Sequence, residues 1–171
     1  MSEARNVTAD DFAEWYAEAF VEIRRAVTLA VGDADLGEEA TAEAFAKALV
    51  HWPKVRRADS RRAWVYRVAL NEARSRFRRL RLERRYLQRR RAEGELHHPP
   101  PEEPDTALWR AVSGLPPRTR TAVVLRYVAD LSVAEVAEAM GVATGSVSAT
   151  LHHARKRLAQ VLSEEPKGAE R

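Results

Sequence analysis

Arg67, Asn71, Arg74, Arg78, Arg81 and Arg85 recur at steps of three or four residues. On a helix that spacing gathers them on one side. They form a cationic stripe roughly 27 Å long at 1.5 Å per residue. A row of guanidinium groups suits one kind of chemistry: holding phosphate oxygens through charge-assisted, forked hydrogen bonds. Almost no acids interrupt the stripe, so its self-repulsion costs stability unless a polyanion covers it. A solvated face is the ordinary reading of a charge run, but the lack of offsetting acids here favours nucleic acid as the partner.

A second constellation lies near the C-terminus. Residues 132–158, SVAEVAEAMGVATGSVSATLHHARKRL, read as two short helices joined by a glycine-containing turn, the second running into a basic tail. That is a helix-turn-helix pattern. Ser132 with Glu135 forms a capping box, Gly141 suits a turn that needs positive φ, and Thr144 caps the last helix. Val133, Val136, Ala137 and Met140 face inward from the first helix. Val147, Leu151, Ala154 and Leu158, followed by Val161 and Leu162, pack from the second. Ser146, Ser148, Ala149, Thr150, His152 and His153 are left near its outer side. Residues around its start can meet base edges, whereas Arg155, Lys156 and Arg157 suit phosphates. A helical bundle that binds no DNA could show the same apolar spacing.

Both constellations need helices to hold them, and the pattern supplies little else. Thr8 followed by Asp11 suggests the start of a long helix carrying Phe12, Trp15, Tyr16, Ala19, Phe20, Ile23, Ala26, Val27 and Ala30 on one face, stopped at Gly32–Asp33. A second helix is expected from about Leu36 to Leu49, with Ala40, Ala44, Phe45, Ala48 and Leu49 inward and Pro53 ending it. After a basic loop, Pro53–Ser60, a third helix capped by Asp59 or Ser60 buries Trp64, Val65, Val68, Ala69, Ala73, Phe77 and Leu80. A short helix from about Thr106 to Ser113 precedes Pro116–Pro117, which suits the first turn of the next helix. That helix carries Ala122–Leu125, Tyr127 and Val128, and is expected to end at Asp130.

Charge is segregated along the 171 residues. Residues 1–50 carry 4 basic and 11 acidic side chains, and residues 51–92 carry 16 basic and 3 acidic. Residues 93–105, EGELHHPPPEEPD, hold four prolines and no run that could be buried, and read as a linker. Its acids either serve an inert spacer or shield a basic surface. The expected architecture is all-α: two small helical domains joined by a Pro- and acid-rich linker, the C-terminal one a helix-turn-helix. The boundaries are 1–92, linker 93–105, 106–163 and a disordered tail 164–171. On such a linker the two modules are expected to be loosely tethered and not prealigned.

The chain has no cysteine, which excludes disulfides and thiolate metal sites. His97–His98 and His152–His153 are adjacent pairs without carboxylates at a matching spacing, and His51 is isolated, so no metal or cofactor is expected. No segment approaches 18 apolar residues and the N-terminus is acidic, so neither membrane insertion nor secretion is expected.

Two modules in this order, with this linker, resemble an extracytoplasmic-function (ECF) sigma factor of bacterial RNA polymerase. The stretch RAWVYRVALNEARSRFRR, Arg62 to Arg79, is similar to the family's helix that melts and reads the −10 promoter element. LPPRTRTAVVLRY and the terminal helix-turn-helix complete the likeness. The resemblance implies a non-enzymatic, cytoplasmic specificity subunit, nucleoid-associated when bound to polymerase. Its implied partners are core RNA polymerase, promoter DNA both double-stranded and locally melted, and an anti-sigma factor of the kind common in the family. By position it places Glu39, Glu43, Phe45 and Ala48 at the polymerase clamp. Trp52 to Ser60, including Lys54, Arg56 and Arg57, match the loop that captures a flipped base. Arg62, Trp64, Tyr66, Arg67, Asn71, Arg74 and Arg78 match the −10 surface, with Trp64 and Tyr66 open to either core burial or stacking on DNA. Thr144, Ser146, Ser148, Thr150, His153, Arg155, Lys156 and Arg157 fall on the −35-reading helix. The competing reading is a dimeric helix-turn-helix regulator that acts without replacing the sigma subunit. A helical adaptor using the acidic N-terminal helices leaves the Arg67–Arg85 stripe unexplained.

Overall fold

The computed structural model describes residues 2–88 and 107–164, with side chains at 10–83 and 107–163. Eight helices make up its regular structure: α1 (Ser2–Val31), α2 (Ala34–Val50), α3 (Trp52–Val55), α4 (Arg61–Gln88), α5 (Ala107–Ser113), α6 (Pro117–Tyr127), α7 (Val133–Met140) and α8 (Thr144–Glu164). Among the described residues no helix is long and apolar enough to cross a membrane. The expected linker 93–105 and tail 164–171 fall almost wholly outside the described residues.

Helices α1, α2 and α4 form the first layer. Gly32 turns the chain at φ 81, and Asp33 caps α2 by accepting a hydrogen bond from the Leu36 amide at 2.9 Å. The first two helices then cross closely on small residues. A Cβ at Gly37 would lie 2.6 Å from the Thr28 Cα, so glycine is required by contact here. Thr41 donates its hydroxyl to the Gly37 carbonyl at 2.7 Å, satisfying a fully buried polar group.

An aromatic cluster fills the other end. Trp52 packs edge-on to Phe12 at 5.1 Å and stacks on Trp15 at 5.2 Å, while Phe45 meets Trp15, Tyr16 and Phe20. Its indole N–H donates to Asp11 at 3.3 Å.

Several sequence expectations shift at this level. Helix α1 starts at Ser2, before Thr8. Helix α2 gains a turn's end at each side, Ala34 and Val50. The expected basic loop begins as a helix, because Trp52 and Val55 are drawn into the core. Ser60 makes the start of α4, accepting from the Ala63 amide at 3.1 Å. Phe77 and Leu80, expected inside, are 56% and 44% exposed. Helix α4 runs antiparallel to α2, with Lys47 beside Glu72 and Glu39 beside Arg76. The partner therefore ends where these turns of α4 continue. Leu49, also expected inside, is 51% exposed.

In the C-terminal layer, Pro117 opens α6 and the capping box opens α7. The Ser132 hydroxyl accepts from the Glu135 amide at 3.2 Å, and the Glu135 carboxylate accepts from the Ser132 amide at 2.8 Å. Gly141 adopts φ 65, ψ 42, the left-handed conformation that ends helices. Helix α6 ends at Tyr127 and not at Asp130, which instead sits in the following turn at φ 50. Thr144 is the first helical residue of α8, one place later than a cap. The modules are not loosely tethered: α6 lies on α1, α7 lies on α4, and one apolar cluster runs from Phe12 to Ala154.

Trp52→Ala should destabilise the protein by about 3–5 kcal/mol in urea unfolding, as for other buried aromatic truncations. Trp52→Phe should recover much of that loss.

Candidate nucleic-acid interface

Helix α4 presents its cations because its other side is spent on packing. Ala63, Val65, Tyr66, Ala69, Leu70 and Ala73 are buried, which leaves Arg67, Asn71, Arg74, Arg78 and Arg81 facing out. From Arg67 to Arg81 the row is about 21 Å long at 1.5 Å per residue. Arg74 donates to the Asn71 side chain at 3.3 Å, which orders neighbouring members of the row. Partial burial, reinforced by the nearby Arg118 cation, lowers the pKa of Arg74. The side chain of Arg85 lies outside the described residues.

The remaining residues assigned to the −10 surface divide. Lys54, Arg56 and Arg57 are exposed beside the start of α4, with Arg56 3.6 Å from Asp11. Trp52 is 1% exposed and Tyr66 is fully buried, so both are core residues in this structure. Burial pushes the Tyr66 phenol up to about 12, against the opposing pull of Arg62. Trp64 is half-buried. Arg62 is half-buried as well, donating to the Ala129 carbonyl at 2.9 Å and pairing with Glu22.

On α2, Glu39 and Glu43 face outward and pair with Arg76 and Lys47. Phe45 and Ala48 point the other way, at 2% and 0% exposure. The four residues are thus on one helix but not on one surface. The outer end of α2 instead shows Leu49 and Val50, at 51% and 75% exposure. Both lie in the last turn of α2, just before His51 and α3.

Helix α8 packs through Val147, Leu151 and Ala154, with Leu158 half-buried. Thr144, Ser146, Ser148, His153, Arg155, Lys156 and Arg157 are exposed, and Thr150 is half-exposed. The Thr150 hydroxyl donates back to the Ser146 carbonyl at 2.7 Å, leaving its lone pairs for an outside donor. His152 and His153 meet edge-on with ring centroids 5.7 Å apart. Sequence reasoning also passed over Arg61, whose guanidinium lies 5.8 Å from the centre of the Trp52 ring.

An outward cationic row on one helix and a polar, basic-ended recognition helix on another define a two-surface, helix-turn-helix nucleic-acid-binding protein. Sigma-70 region 2 matches residues 16–83, and Sigma-70 region 4 matches residues 105–158. The chain belongs to the sigma-70 family, with the region 2 and region 4 domains of a sigma factor that acts in transcription initiation.

Two solved structures are similar in fold. The sigma factor RpoE in complex with the anti-sigma factor NepR from Bartonella quintana is 20% identical, with a TM-score of 0.73 over 91% of this chain and 99% of that one. CnrH in complex with the cytosolic domain of CnrY is 23% identical, with a TM-score of 0.61 over 91% of this chain and 89% of that one. No curated protein matches the sequence.

The Glu135 carboxyl is held below its ordinary value of 4.5, first by the Ser132 amide and then by Ser60. A depressed folded pKa stabilises the fold above the unfolded value and loses that contribution as pH falls through the folded one. Wild type should therefore be more stable than Glu135→Gln near neutrality, the gap closing on acidification below pH 4.5 in urea titrations. Ser132→Ala should cost about 1 kcal/mol.

Proposed function

We propose that this sigma factor docks on core RNA polymerase through the outer face of α2, with Glu39, Glu43, Leu49 and Val50 in contact. Helix α4 then serves the −10 element and α8 the −35 element. The observation that carries this reading is the outward row Arg67, Asn71, Arg74 and Arg78 on a helix whose opposite face is buried.

Each surface has a separate task. On α8, Ser146, Ser148, Thr150 and His153 are placed for base edges, and Arg155, Lys156 and Arg157 for phosphates. Short hydroxyl side chains reach only a little way into the groove, so recognition there also leans on DNA shape. At the −10 element, exposed Lys54, Arg56 and Arg57 border the place where an unstacked base would be received, with Trp52 supporting that loop from below. Unstacking costs a few kcal/mol, and the separated strand is then held by contacts of the α4 row to its phosphates. The polymerase carries out the chemistry. An anti-sigma factor is a further proposed partner, since RpoE and CnrH were each solved with a partner protein. Acting with polymerase on the chromosome places the protein in the cytoplasm.

The deciding experiment supplies purified protein and core polymerase, free of other sigma factors, with a library of genomic fragments. Defined start sites with paired upstream elements are expected. A protein that leaves polymerase undirected, yet alone shifts a palindromic duplex, would instead be a dimeric regulator. At a promoter so identified, Arg74→Ala with Arg78→Ala should abolish permanganate reactivity in the −10 region while leaving polymerase binding intact. Arg155→Ala should weaken duplex binding across sequences and flatten the log–log salt dependence by about one unit.

A further inference from the structure

The apolar interior is not continuous. Leu36, Ala40 and Ala73 form a small cluster apart from the main core, and Val31 packs against both. Beside it lies a cavity of about 330 Å³. Protein interiors pack as densely as organic crystals and leave few voids larger than a water molecule. A space of this size falls instead in the range of small-molecule sites. Leu36 of α2 with Leu70 and Ala73 of α4, all buried, make its floor. Val31 of α1 and Pro117 and Thr121 of α6 add to the wall, and exposed Phe77 borders it on α4.

The polar lining is cationic: Arg74, Arg118 and Arg120. Arg120 is fixed by backbone acceptors. Its Nε donates to the Ala30 carbonyl at 3.1 Å and its Nη2 to the Val31 carbonyl at 2.7 Å. Its Nη1 donates to the Ser113 carbonyl at 3.3 Å. It therefore serves as wall. Arg74 and Arg118 are exposed, and each feels the other as a like charge, which adds to burial in lowering the Arg74 pKa. Arg74 donates to a neutral group, the Asn71 side chain. Among the described residues neither arginine has an acidic partner.

An apolar cavity with two such cations at its edge is complementary to a molecule with an apolar body and one anionic end. The body gains by leaving water. The anionic end takes charge-assisted hydrogen bonds from both guanidinium groups and offsets their repulsion. A methylene group takes up about as much room as a water molecule, roughly 30 Å³. The cavity thus accommodates a chain of about ten carbons.

We propose that this cavity binds a medium-chain fatty carboxylate, its chain against Val31, Leu36, Leu70, Ala73 and Phe77 and its carboxylate between Arg74 and Arg118. The site needs neither polymerase nor promoter, and it goes beyond the sigma-factor reading.

The test is isothermal calorimetry on the full-length protein, with saturated carboxylates from hexanoate through decanoate to tetradecanoate, each below its micelle-forming concentration. Wild type should gain affinity about threefold with each added methylene. The gain should level off near decanoate, where the cavity is full. Decanol, equal in length but uncharged, should bind about tenfold or more weakly. Arg118→Glu should weaken decanoate by a similar factor and leave decanol unchanged. Ala73→Met fills part of the floor and should move the plateau to chains about three carbons shorter. Circular dichroism establishes that both variants keep their helices.

No uptake of decanoate by wild type overturns the proposal and leaves the cavity to a protein partner. Affinity that keeps climbing past decanoate marks partitioning onto the surface and overturns it too. So does decanol binding as tightly as decanoate. A folded Ala73→Met protein with an unmoved plateau places the chain elsewhere. If Ala73→Met loses helix content, Arg118→Glu decides: unchanged decanoate binding sinks the site. Start-site selection with core polymerase tests the sigma-factor reading independently, so either can fail without the other.

Discussion

Helix α4 has to satisfy two opposed demands, and the arrangement around it follows from them. One side carries a row of like charges that repel each other along the helix axis. The other must bury enough apolar surface to hold that row in place. Ala69, Leu70 and Ala73 lie in one continuous buried face with Val65 and Tyr66, giving the helix its anchorage against α1 and α2. Removal of such apolar area from water is the dominant favourable contribution. Flanking ion pairs, Arg62 with Glu22, Arg76 with Glu39 and Glu72 with Lys47, tie the edges of α4 to its neighbours. As largely exposed pairs they contribute little stability each. They do determine which arginines are occupied and which remain for a polyanion.

The same division recurs on α8 at smaller scale. Val147, Leu151 and Ala154 are buried at nearly one angular position on the helix, so the opposite side is free for recognition. Its pose depends on the turn before it, where the Ser132–Glu135 capping box starts α7 and Gly141 ends it in the left-handed conformation. These local devices set the angle of α8 to the bundle.

Much of this was legible in the sequence. The existence and order of α6, α7 and α8, the capping box, the Gly141 turn and the outward row of α4 follow from spacing and from residue-specific backbone preference, though the end of α6 and the cap of α8 do not. The cationic face was readable because solvent-facing residues obey the helical period without needing a partner. Phe77, Leu80 and Leu49 were misread for a related reason. Periodicity identifies an apolar side but carries no information on where the covering helix ends.

The sequence by itself determined the helical class, the caps and turns, and the two basic surfaces, because these depend on interactions within a few residues. Tertiary structure alone decided that Trp52 and Tyr66 are core residues, that Phe45 and Ala48 face away from Glu39 and Glu43, and that the two modules share one core. It alone brought Arg120 to the end of α1 and Arg118 to Arg74, pairs separated by more than 40 residues of chain. Such contacts depend on which surfaces meet once every helix has buried its apolar side. Local spacing does not encode that choice.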